Sequence, residues 1–307
     1  MQISVTPSPL RSGRIDFYEN PNDYETGNAT QFRAFFASPT PSPISMIVEN
    51  CLEAGQKYYV RITHNQVALE DWKNPFKIKV EPIGVLVNAK ALFEGPFDGN
   101  SLMNNNLASA GHLPMNEPYG AYGFTQIGNS GESISPEVMA QTGNQAVVDW
   151  VFMEIRDKNT PALVLATQSA VILRNGEVVD SQTGCPLFFE SLEADDYYIA
   201  LRHRTHLSVM TASPIGLRAV GTNLLDFSAT STSLYSTTQR KIINGTALMI
   251  SGDANLDNSI NVSDRSVVWN NRNQSGYLLS DVNLDGNTGA TDRSLVWNNR
   301  NKASILP

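Results

Sequence analysis

The chain has 307 residues and 41% hydrophobic content, which supplies enough apolar surface for packed cores and excludes wholesale disorder. A formal net charge of −8 argues against a nucleic-acid backbone or an anionic membrane as the partner. The sequence has no run of 18 apolar residues, so we expect no membrane insertion. The N-terminus lacks an apolar signal core, and we expect a piece of a longer exported chain that lies outside the cell or on its surface.

Short apolar stretches rich in Val, Ile, Tyr and Phe, separated by Pro, Gly, Asn and Asp, predict β-strands. These stretches are 14–18, 31–37, 44–48, 58–63, 76–80, 85–93, 147–155, 163–173, 187–191, 197–203 and 207–210. Because no long helical periodicity accompanies them, they favour antiparallel, Ig-like β-sandwiches over βαβ units. The pattern breaks at 82–84, so we expect one sandwich domain over 1–83 and a second over 84–248.

The stretch 95–144 is rich in Pro and Gly and shows little periodicity. It is too long for an ordinary loop. We expect it to pack over one end of the second sandwich.

Two cysteines, Cys51 and Cys185, are too few for a zinc cluster or a disulfide-stapled miniprotein. Both precede Tyr-rich strands in separate segments. We expect two buried thiols, with one long-range disulfide as the alternative.

Asp149 and Glu154 are candidates for paired catalytic carboxylates. They are five residues apart, so in a strand they point to opposite faces, and a polar face is the preferred interpretation. The segment LRHRTH holds His203 and His206 between arginines. No further metal ligands accompany these histidines, which favours a structural or hydrogen-bonding role.

Three of the four tryptophans, Trp150, Trp269 and Trp297, could stack on sugars. We expect Trp150 in a β core, Trp269 and Trp297 on buried helix faces, and Trp72 exposed. The sequence contains no GxSxG, HExxH, Walker or GxGxxG motif in a suitable context, so we expect no enzyme and no catalytic residue.

The segment 249–307 contains an internal repeat. DANLDNSINVSDRSVVWNNRN starts at Asp253, and DVNLDGNTGATDRSLVWNNRN starts 28 residues later at Asp281. Thirteen of the 21 aligned residues are identical, so we expect two copies of one structural unit in a small third domain.

Each copy places oxygen-bearing residues at alternate positions of a 12-residue loop, as an EF-hand-like calcium loop does. The predicted ligands of the first ion are Asp253, Asn255, Asp257, Ser259 through its carbonyl, Asn261 and Asp264. Those of the second are Asp281, Asn283, Asp285, Asn287 through its carbonyl, and Asp292. Position 6 must turn sharply, which Gly286 and Asn258 allow. Two calcium ions are therefore the predicted cofactors.

Paired DxNxDxxxNxxD loops, each followed by one helix, resemble a type I dockerin, the calcium module of cellulosomal proteins. The resemblance implies a small α module that contacts a cohesin through the residues before position 12, which are 262–263 and 290–291 here. More broadly, the motifs LFEGPF, VVDWVFMEIRD and LRHRTHLSVM with the doubled WNNRN are similar to a hemagglutinin-like or dockerin-like C-terminal region of large exported Bacteroidota surface proteins. The opening ISVTPSPLRSGRIDF resembles type IX secretion sorting domains.

Together these features predict a non-catalytic extracellular structural or adhesive module that calcium makes rigid. Its partner is predicted to be a protein, through intrachain docking, self-association or a cohesin-like molecule, or a surface glycan. The alternatives are a dockerin that recruits a cohesin-like partner and a carbohydrate-binding domain of a secreted enzyme.

Overall fold

A computed structural model describes residues 84–307, apart from 129, 220–221, 236–239 and 305, together with the backbone of six strands before residue 82. The chain forms two compact units, Met1–Gly84 with Ala219–Gly221 and Val85–Arg218 with Thr222–Pro307. The predicted third domain lies in the second unit, so its separation from the sandwich at residue 248 stays a prediction. Within the described residues, no helix is long and apolar enough to span a bilayer.

The first unit contains two three-stranded antiparallel sheets. Its strands are β1 (Gln2–Thr6), β2 (Gly13–Tyr18), β3 (Phe32–Phe36), β4 (Ile44–Ile47), β5 (Tyr59–His64) and β6 (Lys77–Glu81). The sheet orders are β4-β1-β6 and β3-β2-β5. Five of these strands match predicted stretches, and β1 is an addition. Cys51 and Trp72 lie outside the described residues.

The second unit is built on an eight-stranded sheet with the order β14-β13-β9-β10-β11-β8-β16, in which β15 also pairs with β13. The strands of this unit are β7 (Val85–Val87), β8 (Ala89–Lys90), β9 (Val147–Asp157), β10 (Val164–Leu173), β11 (Glu177–Val179), β12 (Leu187–Phe189), β13 (Asp195–Arg202), β14 (Val209–Met210), β15 (Ile215–Leu217), β16 (Leu225–Asp226), β17 (Arg240–Ile243), β18 (Thr246–Met249), β19 (Ser259–Ile260) and β20 (Lys302–Ala303). All pairs in the sheet are antiparallel except β8 with β16. The prediction of a mainly β, largely antiparallel protein is confirmed.

The central strand β9 is buried on both faces over nearly its whole length. The stretch 95–144 provides part of this cover, because Leu107, Tyr119 and Val138 belong to the same hydrophobic core as the sheet. The Tyr119 hydroxyl donates to the Trp150 carbonyl at 2.9 Å, and the Trp150 indole donates to the Pro114 carbonyl at 2.8 Å. This stretch therefore lies along the central strand, and Trp150 is in the β core as predicted.

Four α-helices are described in the second unit: α1 (Asn106–Ser109), α2 (Pro136–Met139), α3 (Val262–Asn270) and α4 (Ala290–Asn299). The two longer ones, α3 and α4, follow the two copies of the repeat. Val268 and Val296, at equivalent places in the repeat, are buried in a small second core. The repeat therefore forms two equivalent loop–helix units that share this core.

Cys185 is disulfide-bonded, so the preferred expectation of a free thiol at this position was wrong and the alternative, a disulfide, is correct for Cys185. Its predicted burial is confirmed. Local sequence patterns do not show whether a buried cysteine forms a disulfide.

Candidate metal centre

Loop 1 (Asp253 to Asp264) and loop 2 (Asp281 to Asp292) have the same backbone course. At position 6, Asn258 has φ 62° and Gly286 has φ 86°, so the predicted sharp turn is confirmed. Position 4 is also left-handed, with φ 64° at Leu256 and 60° at Leu284, which the sequence did not predict. Leucine rarely adopts this conformation, so both loops hold strained backbone at the same place.

The aspartate at position 12 closes each loop. In loop 1 one oxygen of Asp264 accepts from the amides of Ala254 and Asn255 at 2.8 and 3.2 Å, and the other accepts from Asn261 at 2.8 Å. This side chain therefore ties the start of the loop to the first turn of α3.

Asp292 makes the same three bonds in loop 2, to the amides of Val282, Asn283 and Gly289 at 2.9, 3.1 and 2.7 Å. The two loops thus close by the same geometry, although their sequences differ at seven of the twelve positions, including positions 2 and 9 whose amides donate.

The acidic and amide side chains at positions 1, 3 and 5 also lie together. Asp253 accepts from the amides of Asp257 and Asn258 at 3.1 and 3.0 Å, and the Asn255 amide donates to the Asp257 carboxylate at 2.8 Å. Each of these bonds has a counterpart in loop 2. The side chains at positions 1, 3 and 5 are therefore neighbours in space in both loops.

Position 9 differs between the loops. The Asn261 amide oxygen accepts from Ser263 N at 2.7 Å and so caps helix α3, while Gly289 offers no side chain. The position-7 residues Ser259 and Asn287 lie in short pairings, since Ser259 pairs in β19 with β20 and Asn287 bridges to Ser275. Each loop thus pairs with the segment that follows the other repeat's helix.

Crowded carboxylates set the electrostatics of both loops. Burial, together with repulsion from Asp264 and Asp257, raises the pKa of Asp253 to about 7. Burial likewise raises the pKa of Asp281 to about 7, although the Arg204 guanidinium opposes this shift. Each loop therefore holds negative charge that the surrounding protein compensates only in part.

This donor set fits a hard cation. Each loop combines three carboxylates with an asparagine side-chain oxygen and a main-chain carbonyl, the oxygen chemistry that Ca²⁺ prefers. Among the described residues, however, no three His, Cys, Asp or Glu side chains form a ready-made metal cluster. In both loops the carboxylate oxygens instead accept backbone amides, so the fit rests on donor chemistry and local charge.

Residues 92–97, the LFEGPF motif, hold the repeat against the sheet. The buried Glu94 carboxylate accepts from Asn299 Nδ2 at 2.6 Å and from Ser251 N at 3.1 Å, and it pairs with Lys241. Asn299 ends helix α4, and Ser251 lies just before loop 1. Glu94 therefore fastens both copies of the repeat to one point.

The neighbouring Gly95 is the place of closest approach to loop 2. A Cβ at this position would lie 2.4 Å from the Val282 carbonyl oxygen and 2.8 Å from the Asn283 Cα. These are backbone atoms that cannot move aside individually. Only glycine lets loop 2 lie this close to the sheet.

The LRHRTH segment is a second connection between the core and the loops. Its Thr205 carbonyl accepts from the amides of Gly252 and Asp253 at 2.9 and 3.2 Å. Arg204 is completely buried, bonds the Leu278 carbonyl and stacks 3.9 Å from the Tyr277 ring. These contacts join position 1 of loop 1 and the approach to loop 2 to the end of β13.

Asp149 on β9 is the counter-ion of this segment. It accepts from His203, Arg204 and Tyr277 at 3.1, 3.1 and 2.7 Å. Although burial alone would raise its pKa, Arg204 and His203 outweigh burial and hold the pKa of Asp149 below its ordinary value. The backbone amide of Trp150 also donates to it at 2.7 Å, so the core contains an ionised carboxylate with four donors.

His203 and His206 extend this hydrogen-bond network, and one assignment of their ring protons satisfies every bond. His203 Nε2 faces Asp149, His203 Nδ1 lies 3.0 Å from His206 Nδ1, and Gly95 N donates to His206 Nε2 at 3.4 Å. Every bond is made if His203 carries its proton on Nε2 and His206 on Nδ1. Burial lowers the pKa of both rings, so both are neutral. The hydrogen-bonding role predicted for these histidines agrees with this arrangement.

The expectation of a polar face for Asp149 and Glu154 was wrong, because both side chains are buried. Glu154 pairs with Arg156 at 2.6 Å and with Arg202 at 2.9 Å. Arginines that are distant in sequence, or that fold back along the strand, satisfy both carboxylates. Strand periodicity cannot show such partners.

The tryptophans of the repeat also correct the prediction. Trp269 is 50% exposed and Trp297 is 51% exposed, so neither lies on a buried helix face. The valines Val268 and Val296 fill the core between the helices instead. The neighbour in sequence, rotated by 100° around the helix, takes the place expected for the tryptophan.

Comparisons with known proteins add little. No family model and no curated protein matches the chain. Two similar solved structures are interface mutants of a type II cohesin–X-dockerin complex from Acetivibrio cellulolyticus. The N-terminal interface mutant is 18% identical with a TM-score of 0.31, and the C-terminal interface mutant is 21% identical with a TM-score of 0.30. Each match covers 50% of this chain and 82% of the other chain, and TM-scores this low assign neither fold nor function.

Proposed function

We propose that this chain is a non-catalytic, extracellular structural or adhesive module of a bacterial surface protein, and that two calcium ions make its C-terminal repeat rigid. The observation that carries the proposal is the pair of loops with one hydrogen-bond pattern and crowded carboxylates. The hemagglutinin-like and dockerin-like resemblance of the sequence supports the same function.

The predicted ligand sets are retained in this proposal. Asp253, Asn255, Asp257, Ser259 and Asp264 would hold one ion, and Asp281, Asn283, Asp285, Asn287 and Asp292 would hold the other. Asn261 joins the first set only if its amide oxygen leaves the N-cap of α3. Bound calcium supplies positive charge that relieves carboxylate repulsion, so its binding free energy adds to the folding free energy.

The protein's own residues would pass this rigidity to the sheet. Glu94 bonds the end of α4 and the residue before loop 1, and the Thr205 carbonyl bonds the amide of Asp253. A loop that is held in one shape therefore also fixes the ends of β13 and β18. This arrangement suits a surface protein that bears load.

Calorimetric titration of the full chain with calcium tests the proposal. We expect two ions per wild-type chain, one for either Asp257→Ala or Asp285→Ala, and none for the double variant. Saturating calcium should raise the melting temperature, since a ligand at about 100 times its Kd adds about 2.7 kcal/mol per site. Asp195→Ala, which removes an exposed carboxylate outside the loops, is the matched control. A melting curve that is the same in calcium and EDTA contradicts the proposal.

A dockerin that recruits a cohesin-like protein is the second candidate. The residues at positions 10 and 11 are exposed in both copies, and Val262 at position 10 is 72% exposed. An apolar side chain this exposed is available for a partner. Calcium-dependent capture of a purified cohesin, lost in Val262→Asp but kept in Ser266→Ala, would favour this candidate over a module that acts alone.

A further inference from the structure

The outer side of helices α3 and α4 carries two half-exposed tryptophans and four arginines. They are Arg265, Trp269, Arg272, Arg293, Trp297 and Arg300, and together they are called the Trp–Arg face. All six side chains are exposed. The repeat places the same residue types at equivalent positions of both helices.

The arginines are arranged around the rings in a repeated way. Just after each helix, an arginine lies over the tryptophan of that helix. The Arg272 guanidinium is 4.7 Å from the Trp269 ring, and the Arg300 guanidinium is 4.2 Å from the Trp297 ring. Across the pair, Arg293 lies 5.9 Å from Trp269 and Arg265 lies 5.8 Å from Trp297. Each ring therefore has one arginine from its own copy of the repeat and one from the other copy, as in a twofold-related pair.

This face is positively charged without local compensation. Within the described part of the chain, none of the four arginines pairs with a carboxylate. The acids of the same two helices, Asp264 and Asp292, are buried in the loops. Four guanidinium groups thus face solvent on a chain whose net charge is −8.

Stacking on an indole ring also prepares a guanidinium group for an anion. The ring holds the guanidinium plane and limits its rotamers. In Arg272 and Arg300 one terminal nitrogen donates to the carbonyl of the stacked tryptophan, at 3.0 and 2.7 Å, which fixes the group further. The remaining N–H groups stay available. A carboxylate or sulfate can accept two of these N–H groups at once. The half-exposed indole beside it offers apolar surface for the C–H groups of a sugar ring.

We propose that the Trp–Arg face binds an acidic polysaccharide through anionic groups on successive sugars. The proposal rests on the adhesive function and names its partner. Two equivalent Trp–Arg sites side by side match a ligand whose acidic group and sugar ring also repeat. A second copy of the chain bound through the same face would set arginine against arginine, so charge disfavours it.

Binding of the calcium-loaded full chain to immobilised polymers tests this proposal. The probes are polygalacturonate, dextran sulfate, neutral dextran and polyglutamate. We expect binding to one or both anionic polysaccharides, weaker binding to polyglutamate and none to neutral dextran. The two polysaccharides distinguish a carboxylate from a sulfate as the recognised group.

Variants assign the binding to the face. The double variant Arg272→Gln with Arg300→Gln should weaken binding roughly tenfold or more. Trp269→Ala with Trp297→Ala should have a similar effect. A tenfold loss of affinity corresponds to about 1.4 kcal/mol of binding free energy. Lys158→Gln, which removes an exposed cation outside the two helices, should leave binding unchanged. Unchanged binding in both double variants overturns the proposal, as does equal binding to neutral dextran. Polyglutamate bound at least as tightly as the polysaccharides overturns it in favour of an acidic protein.

The calcium response of the same variants separates this proposal from the function on which it rests. If calcium raises the melting temperature of every variant and wild type binds no polysaccharide, only the polysaccharide proposal fails. If calcium leaves the wild-type melting temperature unchanged, the calcium-dependent function fails whatever the polymers show.

Discussion

Loops 1 and 2 share a sequence pattern and a hydrogen-bond pattern but differ in their surroundings. In loop 2, Asn283 and Leu284 are buried, and Gly286 lies against the His112 ring. The corresponding residues of loop 1, Asn255 and Leu256, are only partly buried. Contacts with the core therefore hold much of the conformation of loop 2, while loop 1 depends more on the hydrogen bonds within the loop.

The electrostatic environments differ in the same sense. Arg204 acts on Asp281 and opposes the rise in its pKa, whereas no cation is among the main influences on Asp253. A buried counter-charge thus offsets part of the negative charge of loop 2. One repeated sequence therefore gives two loops whose surroundings compensate their carboxylates to different degrees.

Removing Arg204 should cause the largest loss in the free energy of unfolding. Arg204→Met leaves the buried Asp149 without its main counter-charge, and unpairing a buried ion pair costs about 3–5 kcal/mol. Arg202→Met is the control, because Glu154 keeps its bond to Arg156. Chemical denaturation should show a much larger loss for Arg204→Met than for Arg202→Met. Equal losses would mean that Arg204 has no special role near loop 2.

Truncating the leucine at position 4 of each loop should measure how much more loop 2 depends on buried contacts. Leu284→Ala removes a fully buried side chain and should cost about 2–5 kcal/mol. Leu256→Ala, at the same loop position with the same left-handed backbone, should cost less than about 1 kcal/mol. Urea unfolding of both variants measures the two losses, and similar values would contradict the difference between the loops.

Gly95→Ala should disturb loop 2 alone. Its Cβ would press on the backbone of Val282 and Asn283, and overpacking of this kind costs about 1–3 kcal/mol. The control is Gly289→Ala, whose Cβ would meet only an Asp292 oxygen at 3.9 Å. Thermal unfolding compares the two, and a neutral Gly95→Ala would show that loop 2 is not held against the sheet.

The pH dependence without calcium should give the smallest effect. The folded-state pKa of Asp253 and Asp281 is raised to about 7, so their protonated forms stabilise the fold at low pH, and this contribution is lost as the pH rises through 7. The melting temperature in EDTA should therefore fall as the pH rises from about 4 to about 7 and level off above it, and the last part of this window lies above the range of the buried histidines. Asp253→Asn and Asp281→Asn should each remove a similar part of this fall, because the pKa of both carboxyls is raised to about 7. A melting temperature that rises over this window would contradict the assignment.

Much of the local structure follows from the sequence alone. All the predicted strand stretches contain strands, although 85–93 is split into β7 and β8. The repeat predicted both loops, the turn at position 6 and the two helices. These features depend on alternation, on glycine and asparagine at left-handed positions and on residues close together in the chain.

What the sequence could not predict depends on distant contacts. The burial of Asp149 requires Arg204 and Tyr277, and the fixed place of Gly95 requires the backbone of loop 2. The motifs LFEGPF and LRHRTH were recognisable in the sequence, but a single sequence does not show that they contact the repeat. The outward position of Trp269 was also missed, because helix α3 is too short for its periodicity to identify the buried side.

Hydrogen exchange of the full chain in calcium and in EDTA tests the central claim most directly. The account predicts that chelation speeds exchange in both loops, and more at the amides of Asp257 and Asn258 in loop 1 than at those of Asp285 and Gly286 in loop 2. Exchange that does not change in either loop would contradict a role for calcium. Exchange that increases equally in both, or more in loop 2, would contradict the difference between the two sites.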